Sequence, residues 1–472
     1  GKKYAFDDEG KMLYGWVEDT SAERLDNTDG DGFKDADYYF GGEDDGAMTT
    51  GWLQIDITYD EAINDDYKYT AAAFNDDEDQ TRWFYFKSNG KMIKSDEGDR
   101  TKDKTINGKK YAFDQYGAMV AEWSLDSDDE KEASDNVGHY AASTNQTVAS
   151  VSEAWQGKGN YAQYSKAWKY FNSVEDGARV SKGWFKVVPA EYLNEGKYDD
   201  DEDFWYYADG SGNLYAGEFK TIKGKKYAFR NDGRMLTGLK FILEDDDNDN
   251  LTVYADDDGT YNFDNEDDFL DNAVAFYESG GYKCYYFGGG DDGAMRTNKT
   301  TVEIDGENHN FYFEKSGSKK GAGVTGEKDD KLYQSGMLLK ADSDDKYVVV
   351  DKTTKYTTNA AGEKVLDYVT YNKLDDAKEF MAQDDVLESN TPVDADGKID
   401  LGNNNKKKAE DISEAYTIGY KAYGSSDMTT HEYFLVNTSG KVIDNRGKNK
   451  DGSDYYYVTD NSGKITNIYV ED

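Results

Sequence analysis

The chain has one cysteine, two prolines and three histidines, and each scarcity excludes something. A lone Cys284 rules out an intramolecular disulfide, so no covalent staple holds the fold. Two prolines leave the loops unstiffened. His139, His309 and His431 show no metal-ligand spacing, and neither a nucleophile elbow nor a phosphate-cradling glycine loop occurs. Carboxylate pairs are too plentiful for spacing to single out a glycosidase dyad. No apolar run is long enough to span a bilayer, and no signal peptide is present. Gly1 opens inside a motif that recurs downstream, so the chain reads as a fragment whose natural start lies upstream, where a catalytic domain would be compatible with the rest.

Basic residues are also short. Against 97 Asp+Glu stand 55 Lys+Arg, a formal charge of −42. Such a field repels nucleic acid and anionic membranes, and favours neutral or cationic partners and bound cations. Aliphatic material is limited as well, with 37% hydrophobic residues, and 15% of the chain is aromatic. Rings bury much area while keeping a polar tip, which suits thin layers rather than one thick core.

What is present is a repeat. A first segment reads GKKYAFDDEGKM from Gly1, GKKYAFDQYGAM from Gly108 and GKKYAFRNDGRM from Gly224. Its markers Phe6, Phe113 and Phe229 are 107 and 116 residues apart. A second reads YYFGGEDDGAM from Tyr38, KYFNSVEDGAR from Lys169 and YYFGGGDDGAM from Tyr285. A third reads WFYFKSNGKM from Trp83, WYYADGSGNL from Trp205 and NFYFEKSGSK from Asn310. In each, aromatic residues alternate along a strand, a D-x-x-G or S-N-G turn follows with glycine supplying positive φ, and a return strand starts at K-M or A-M. Each segment is expected to be a β-hairpin that cannot bury its ring face alone and must lean on the next.

The expected fold is therefore all-β, an elongated solenoid of stacked aromatic hairpins with inserted loops. Residues 1–110 form a first three-hairpin unit, 111–223 a second with a loop at 127–154, and 224–340 a third. The remaining 341–472 read as an α+β domain or a degenerate cap, with helical spacing over Leu374–Glu388. Strands are expected at Lys346–Val350, Val365–Tyr371, Glu432–Val436 and Tyr455–Thr459.

These residues resemble the cell-wall-binding repeat superfamily: choline-binding modules of pneumococcal surface proteins, glucan-binding repeats of streptococcal glucosyltransferases and the combined repeats of large clostridial toxins. The shared pattern is fullest at Tyr38-Tyr39-Phe40 followed by Gly46-Ala47-Met48-Thr49-Thr50-Gly51-Trp52. It recurs at Gly10-Lys11-Met12-Leu13-Tyr14-Gly15-Trp16, Gly183-Trp184 and Met235-Leu236-Thr237-Gly238-Leu239. The likeness spans Gly1–Lys340, unevenly. The Gly-Trp pair survives at Trp16, Trp52 and Trp184, and elsewhere becomes Glu122-Trp123, Glu218-Phe219 or Gly238-Leu239. The resemblance implies a non-enzymatic protein on the surface of a Gram-positive bacterium, attached noncovalently to a wall or extracellular glycan. Its aromatic cages would hold choline, or stack on an α-glucan. Candidate ring residues are Trp16, Tyr39, Trp52, Trp83, Tyr85, Trp123, Trp184, Trp205 and Tyr207. A structural stalk or surface-layer filament that self-assembles, and a host-receptor adhesin or toxin binding region, remain open.

Two acidic loops suggest calcium. Asn27, Asp29, Asp31 and Asp35 stand at positions one, three, five and nine of a calcium loop, with Gly32 at six and the Phe33 carbonyl at seven. Asp245, Asp247 and Asp249 repeat the spacing, with Asp256 at position twelve. Either ion would order a loop that otherwise repels itself.

Overall fold

A carboxylate or carboxamide at the head of a four-residue turn can accept two backbone N–H groups, provided a later residue takes positive φ. The Asp7 carboxylate accepts from Glu9 and Lys11 at 2.9 and 2.8 Å, while Gly10 sits at φ 80°. Asp114 accepts from Tyr116 and Ala118, and Asp209 from Ser211 and Asn213. The same turn recurs past Lys340, where Asn359, Asn437 and Asp460 each accept from the second and fourth residues on. Repeat character therefore persists locally to the end of the chain.

The computed structural model describes residues 1–19, 32–58, 79–125, 161–191, 193–245, 250–253, 263–278, 281–422 and 424–472. Strands predominate and helices are few. The loop expected at 127–154 lies outside the described residues. The chain packs as two compact units, residues 1–236 with 244–252, and residues 237–243 with 253–472.

In the first unit the turn makes only a brief hairpin, a single bridge such as Phe6↔Met12, Phe86↔Met92, Phe113↔Met119 or Phe229↔Met235. The longer ladders cross the variable spacers instead. Trp16–Val17 pairs with Tyr38–Tyr39, Gly51–Thr58 with Asp79–Phe86, and Thr101–Ile106 with Lys109–Asp114. Trp123–Leu125 pairs with Trp168–Tyr170, Gly183–Val187 with Phe204–Ala208, and Glu218–Ile222 with Lys225–Phe229. All are antiparallel. The expected turn hairpins are thus present but short, and the N–H at the start of each return arm points to the preceding hairpin. Met48 donates to the Lys3 carbonyl, Met92 to Asp37, Met119 to Trp83, Arg179 to Lys110 and Met235 to Trp205, at 2.8–2.9 Å. Each return arm therefore links two hairpins, since the next residue along bonds its own outgoing strand, Thr49 to Tyr39, Ile93 to Tyr85, Val120 to Ala112, Val180 to Tyr170 and Leu236 to Ala228.

Side chains repeat the same link. Met12 packs on the bare Cα of Gly46, Met48 on Gly90, Met92 on Gly117 and Met119 on Gly177. Arg179 takes this role at Gly212 and Leu214 at Gly233. Within the second unit, Met295 meets Gly321 and Leu338 meets Gly440.

The second unit adds a helix that the sequence reading missed. Glu266–Glu278 is started by Asn265, whose side-chain oxygen accepts from the Asp268 N–H at 2.9 Å. Phe269, Leu270, Ala273 and Phe276 form its buried face and join Phe241, Phe311, Val350, Tyr371 and Val436 in one core, which draws on both sides of Lys340. Asn298–Ile304, Glu307–Phe313, Met337–Leu338, Lys331–Gln334 and Gly326–Lys328 make a five-stranded sheet in that order. Farther on, Tyr347–Thr358 lies between Lys364–Leu374 and Thr429–Asn437. The expected strands appear, two of them much longer than their apolar runs. The helix expected over Leu374–Glu388 shrinks to Ala377–Met381, capped by Asp376, because Val386–Glu388 pairs with Ile418–Tyr416 instead.

The methionine and glycine contact gives a direct test. A Cβ on Gly117 would fall 2.7 Å from Met92 Sδ, whereas one on Gly224, at a similar positive φ, would meet nothing within 4 Å. Gly224→Ala should cost about 1–2 kcal/mol from left-handed strain alone, and Gly117→Ala about 1–3 kcal/mol more from overpacking, as read by urea unfolding of the two variants.

Candidate functional site

Residues two apart on a strand share a face, and so do directly opposed residues on its neighbour. Trp52 and Gln54 therefore lie beside their partners Tyr85 and Trp83 on one face of the Gly51–Thr58 ladder. The Met119 bond to the Trp83 carbonyl then places the next hairpin, whose Tyr111 and Phe113 close on the same rings. From the Trp52 ring, centroids lie at 6.2 Å to Trp83, 5.1 Å to Tyr85, 4.9 Å to Tyr111 and 5.7 Å to Phe113.

The same construction occurs a second time. Trp184 and Lys186 oppose Tyr207 and Trp205, and the Met235 bond to the Trp205 carbonyl brings Tyr227 and Phe229. From Trp184 the centroid distances are 6.3 Å to Trp205, 5.1 Å to Tyr207, 4.8 Å to Tyr227 and 5.7 Å to Phe229. Interplanar angles agree as well: 87° and 88° between the tryptophans, 73° and 79° to the first tyrosine. In both copies the tryptophans and tyrosines are only part-buried, over a floor of phenylalanine and methionine.

The remaining candidate rings are placed otherwise. Trp16 is 1% exposed and Trp123 3%, so neither offers a face, which corrects the expectation of open rings there. Trp16 is covered by Phe33 from the short turn Gly32–Asp35 and by Phe84 at 5.2 Å, with Tyr39 half-buried at 4.8 Å. Trp123 is enclosed by Trp168, Tyr170, Phe185 and Tyr206, and its indole donates to the Val188 carbonyl at 2.8 Å. Tyr111 and Tyr227 were not singled out by sequence, although the gapless GKKYAF alignment puts them at one repeat position.

Of the calcium candidates, Asn27, Asp29, Asp31, Asp247, Asp249 and Asp256 lie outside the described residues. Phe33 is buried against Trp16, Asp35 is exposed, and Asp245 ends the strand Leu239–Asp245. Among the described residues no group of three or more His, Cys, Asp or Glu side chains is disposed to hold a metal ion.

No protein family model and no curated protein matches the chain. Among solved structures it is similar to choline-binding protein F from Streptococcus pneumoniae, determined in the presence of a peptidoglycan analogue, at 16% identity and TM-score 0.34 over 77% of this chain and 93% of that one. It is similar also to the modular autolysin LytC from Streptococcus pneumoniae, at 18% identity and TM-score 0.28, over 74% of this chain and 53% of that one. A third is alternansucrase in complex with isomaltononaose, at 15% identity and TM-score 0.18, over 72% of this chain and 18% of that one. With superpositions this loose, function rests on the aromatic geometry itself.

Beside the first cluster, Asp114 is fully enclosed, and burial pushes its carboxyl up to about 7 against the pull of the Tyr116, Ala118 and Gly117 N–H groups and of Arg82. The folded state then holds a proton that the unfolded state has lost above about pH 4. Stability should accordingly fall as pH rises from about 4 to 7 and level off above, and Asp114→Asn, which stays neutral, should flatten that slope in thermal melts.

Proposed function

We propose that the protein is a non-enzymatic binder of a cell-wall or extracellular glycan, gripping it through the Trp52 and Trp184 clusters, with the quaternary ammonium of a choline-bearing polymer as its handle. The observation that carries this is the duplication of one part-open aromatic constellation to within a few tenths of an ångström. Rings meeting near right angles turn more than one π face towards one compact group, which suits a cation, each face contributing about 0.5–2 kcal/mol. A sugar ring stacks on one face, so an α-glucan is the competing ligand. Two weak sites on one chain hold a repetitive polymer far more tightly than either alone. The charge of −42 discourages nucleic acid and anionic surfaces as partners.

In this reading the protein is extracellular and surface-associated, with its hairpins propagating as an elongated solenoid. Among the described residues no helix is long and apolar enough to cross a membrane. The peptidoglycan analogue and the isomaltononaose of the two similar structures agree with a wall or glucan ligand. Calcium at the loops Asn27–Asp35 and Asp245–Asp256 belongs to the same proposal, with a structural role: millimolar calcium should raise the melting temperature over a chelator control, and magnesium should not substitute.

Retention on immobilised choline and elution by free choline is the expected result. Trp52→Ala and Trp184→Ala should each weaken retention about tenfold, and the double variant should flow through. Retention on dextran with release by oligosaccharide would move the assignment to a glucan. No retention on choline, glucan or isolated wall, with ordered fibres in micrographs, would replace it by a structural filament.

A further inference from the structure

The two clusters share five ring positions, the second adding Tyr215 stacked on Tyr207 at 5.1 Å, and they differ at the rim. In the first, Glu175 reaches across from the turn Ser173–Gly177. Its carboxylate accepts from Trp83 Nε1 at 3.3 Å and from Gln54 Nε2 at 3.3 and 3.4 Å. The interlock sets this position: Gly177 seats on Met119, and the Met119 N–H is held by the Trp83 carbonyl, so the turn carrying Glu175 comes to lie over Trp83. In the second cluster, Lys186 occupies the ladder position of Gln54, opposite Trp205. The Trp205 indole N–H, counterpart of the one that Glu175 accepts, is buried and has no hydrogen-bond partner among the described residues.

We infer that Glu175 is a specificity-determining residue that gives the Trp52 cluster a preference for cationic over neutral ligands, and that the Trp184 cluster, lacking this carboxylate contact, does not share it. The inference rests on the glycan-binding reading above and assigns different chemistry to its two sites. Ring faces attract a cation by their quadrupole and an uncharged isostere by burial alone. A carboxylate at the rim widens that difference through a Coulomb term that salt screens. Because Glu175 and the indole N–H form a charge-assisted hydrogen bond, the carboxylate is held beside the rings instead of swinging into solvent.

Choline and 3,3-dimethylbutan-1-ol have nearly the same shape and differ in charge. Titrating both by calorimetry against Trp184→Ala reads the Trp52 cluster, and against Trp52→Ala the Trp184 cluster. With Trp184→Ala, choline should bind about three- to tenfold more tightly than the alcohol beyond the ratio seen with Trp52→Ala. Adding Glu175→Gln should bring the two ratios together, as should about 1 M salt. Gln keeps an oxygen for the Trp83 indole, so the melting temperature should hold. An unchanged ratio in Glu175→Gln, or equal ratios in the two tryptophan variants, would overturn the inference while leaving aromatic binding in place. If the unaltered chain bound neither compound, the glycan-binding reading would fall with it.

Discussion

The contact on which the rest depends is a thioether lying on a glycine. Met12, Met48, Met92 and Met119 each fill the space that a side chain at Gly46, Gly90, Gly117 or Gly177 would need, and the backbone N–H of each later methionine is fixed by the hairpin before it. Turn glycine and return methionine belong to different hairpins, so neither feature has a purpose within one repeat. Flexible and polarizable, methionine can fit turns that differ in length, as at Phe40 to Gly46 and Phe86 to Gly90. That tolerance lets three turn types alternate in one stack.

Once the interlock fixes successive ladders, the rings at the Gly-Trp positions meet in the same way each time, and what varies is the cover. The spacer before Tyr38 supplies Phe33, which closes Trp16. The helix Tyr161–Lys166 supplies Tyr164, which closes on the Trp123 group through Trp168. The spacer after Val187 spends its apolar residues Ala190 and Leu193 on that same Trp123 group and its polar ones on the next turn, where Asn194 donates to Asp232 at 2.8 Å and Arg234 lies over Phe204. Trp184, at the root of that spacer, is left part-open. Insertions that look like noise in the alignment thus decide which ring groups are core and which are surface.

Much of this was legible. The turn chemistry, the three-type order and the aromatic strands follow from D-x-x-G, from spacing and from alternation, because each is a local property of a few residues. Pairing partners were not, since a strand of four residues carries no mark of which neighbour it joins. One signal was present and quiet: Asn107-Gly108 and Asp305-Gly306 have positive φ at both residues and close the ladders Thr101–Ile106 with Lys109–Asp114 and Asn298–Ile304 with Glu307–Phe313. Such dipeptides between apolar-containing strands are the strongest short-range hairpin signature, and they point across the spacer. Helix Glu266–Glu278 was masked by its own first turn, whose Glu266, Asp267 and Asp268 favour a helix N-terminus but read as one more acidic loop. Burial of Trp16 and Trp123 could not be read at all, because the covering residues come from spacers with no shared pattern.

The left-handed residue before each ladder shows how far this repeat bends its own rules. Gly15, Glu122 and Gly238 take equivalent places, at φ 68°, 56° and 77°. Each accepts from the following phenylalanine N–H and donates to the residue beyond it, as Glu122 does with Phe171 and Asn172. Glutamate pays a steric penalty there that glycine does not. Its carboxyl is also pushed upward by burial, and Arg82 only partly offsets this. The position holds because hydrogen bonds on both sides over-determine the backbone, which is the condition under which strained residues persist. Loss of the Gly-Trp signature at Glu122-Trp123 is therefore loss of a sequence pattern and not of the geometry it encodes. Other degenerate copies, such as Asn298-Lys299 with φ 71° at Asn298, are best judged by whether their backbone keeps the left-handed step, since that step, more than the tryptophan, aims the chain into its next ladder.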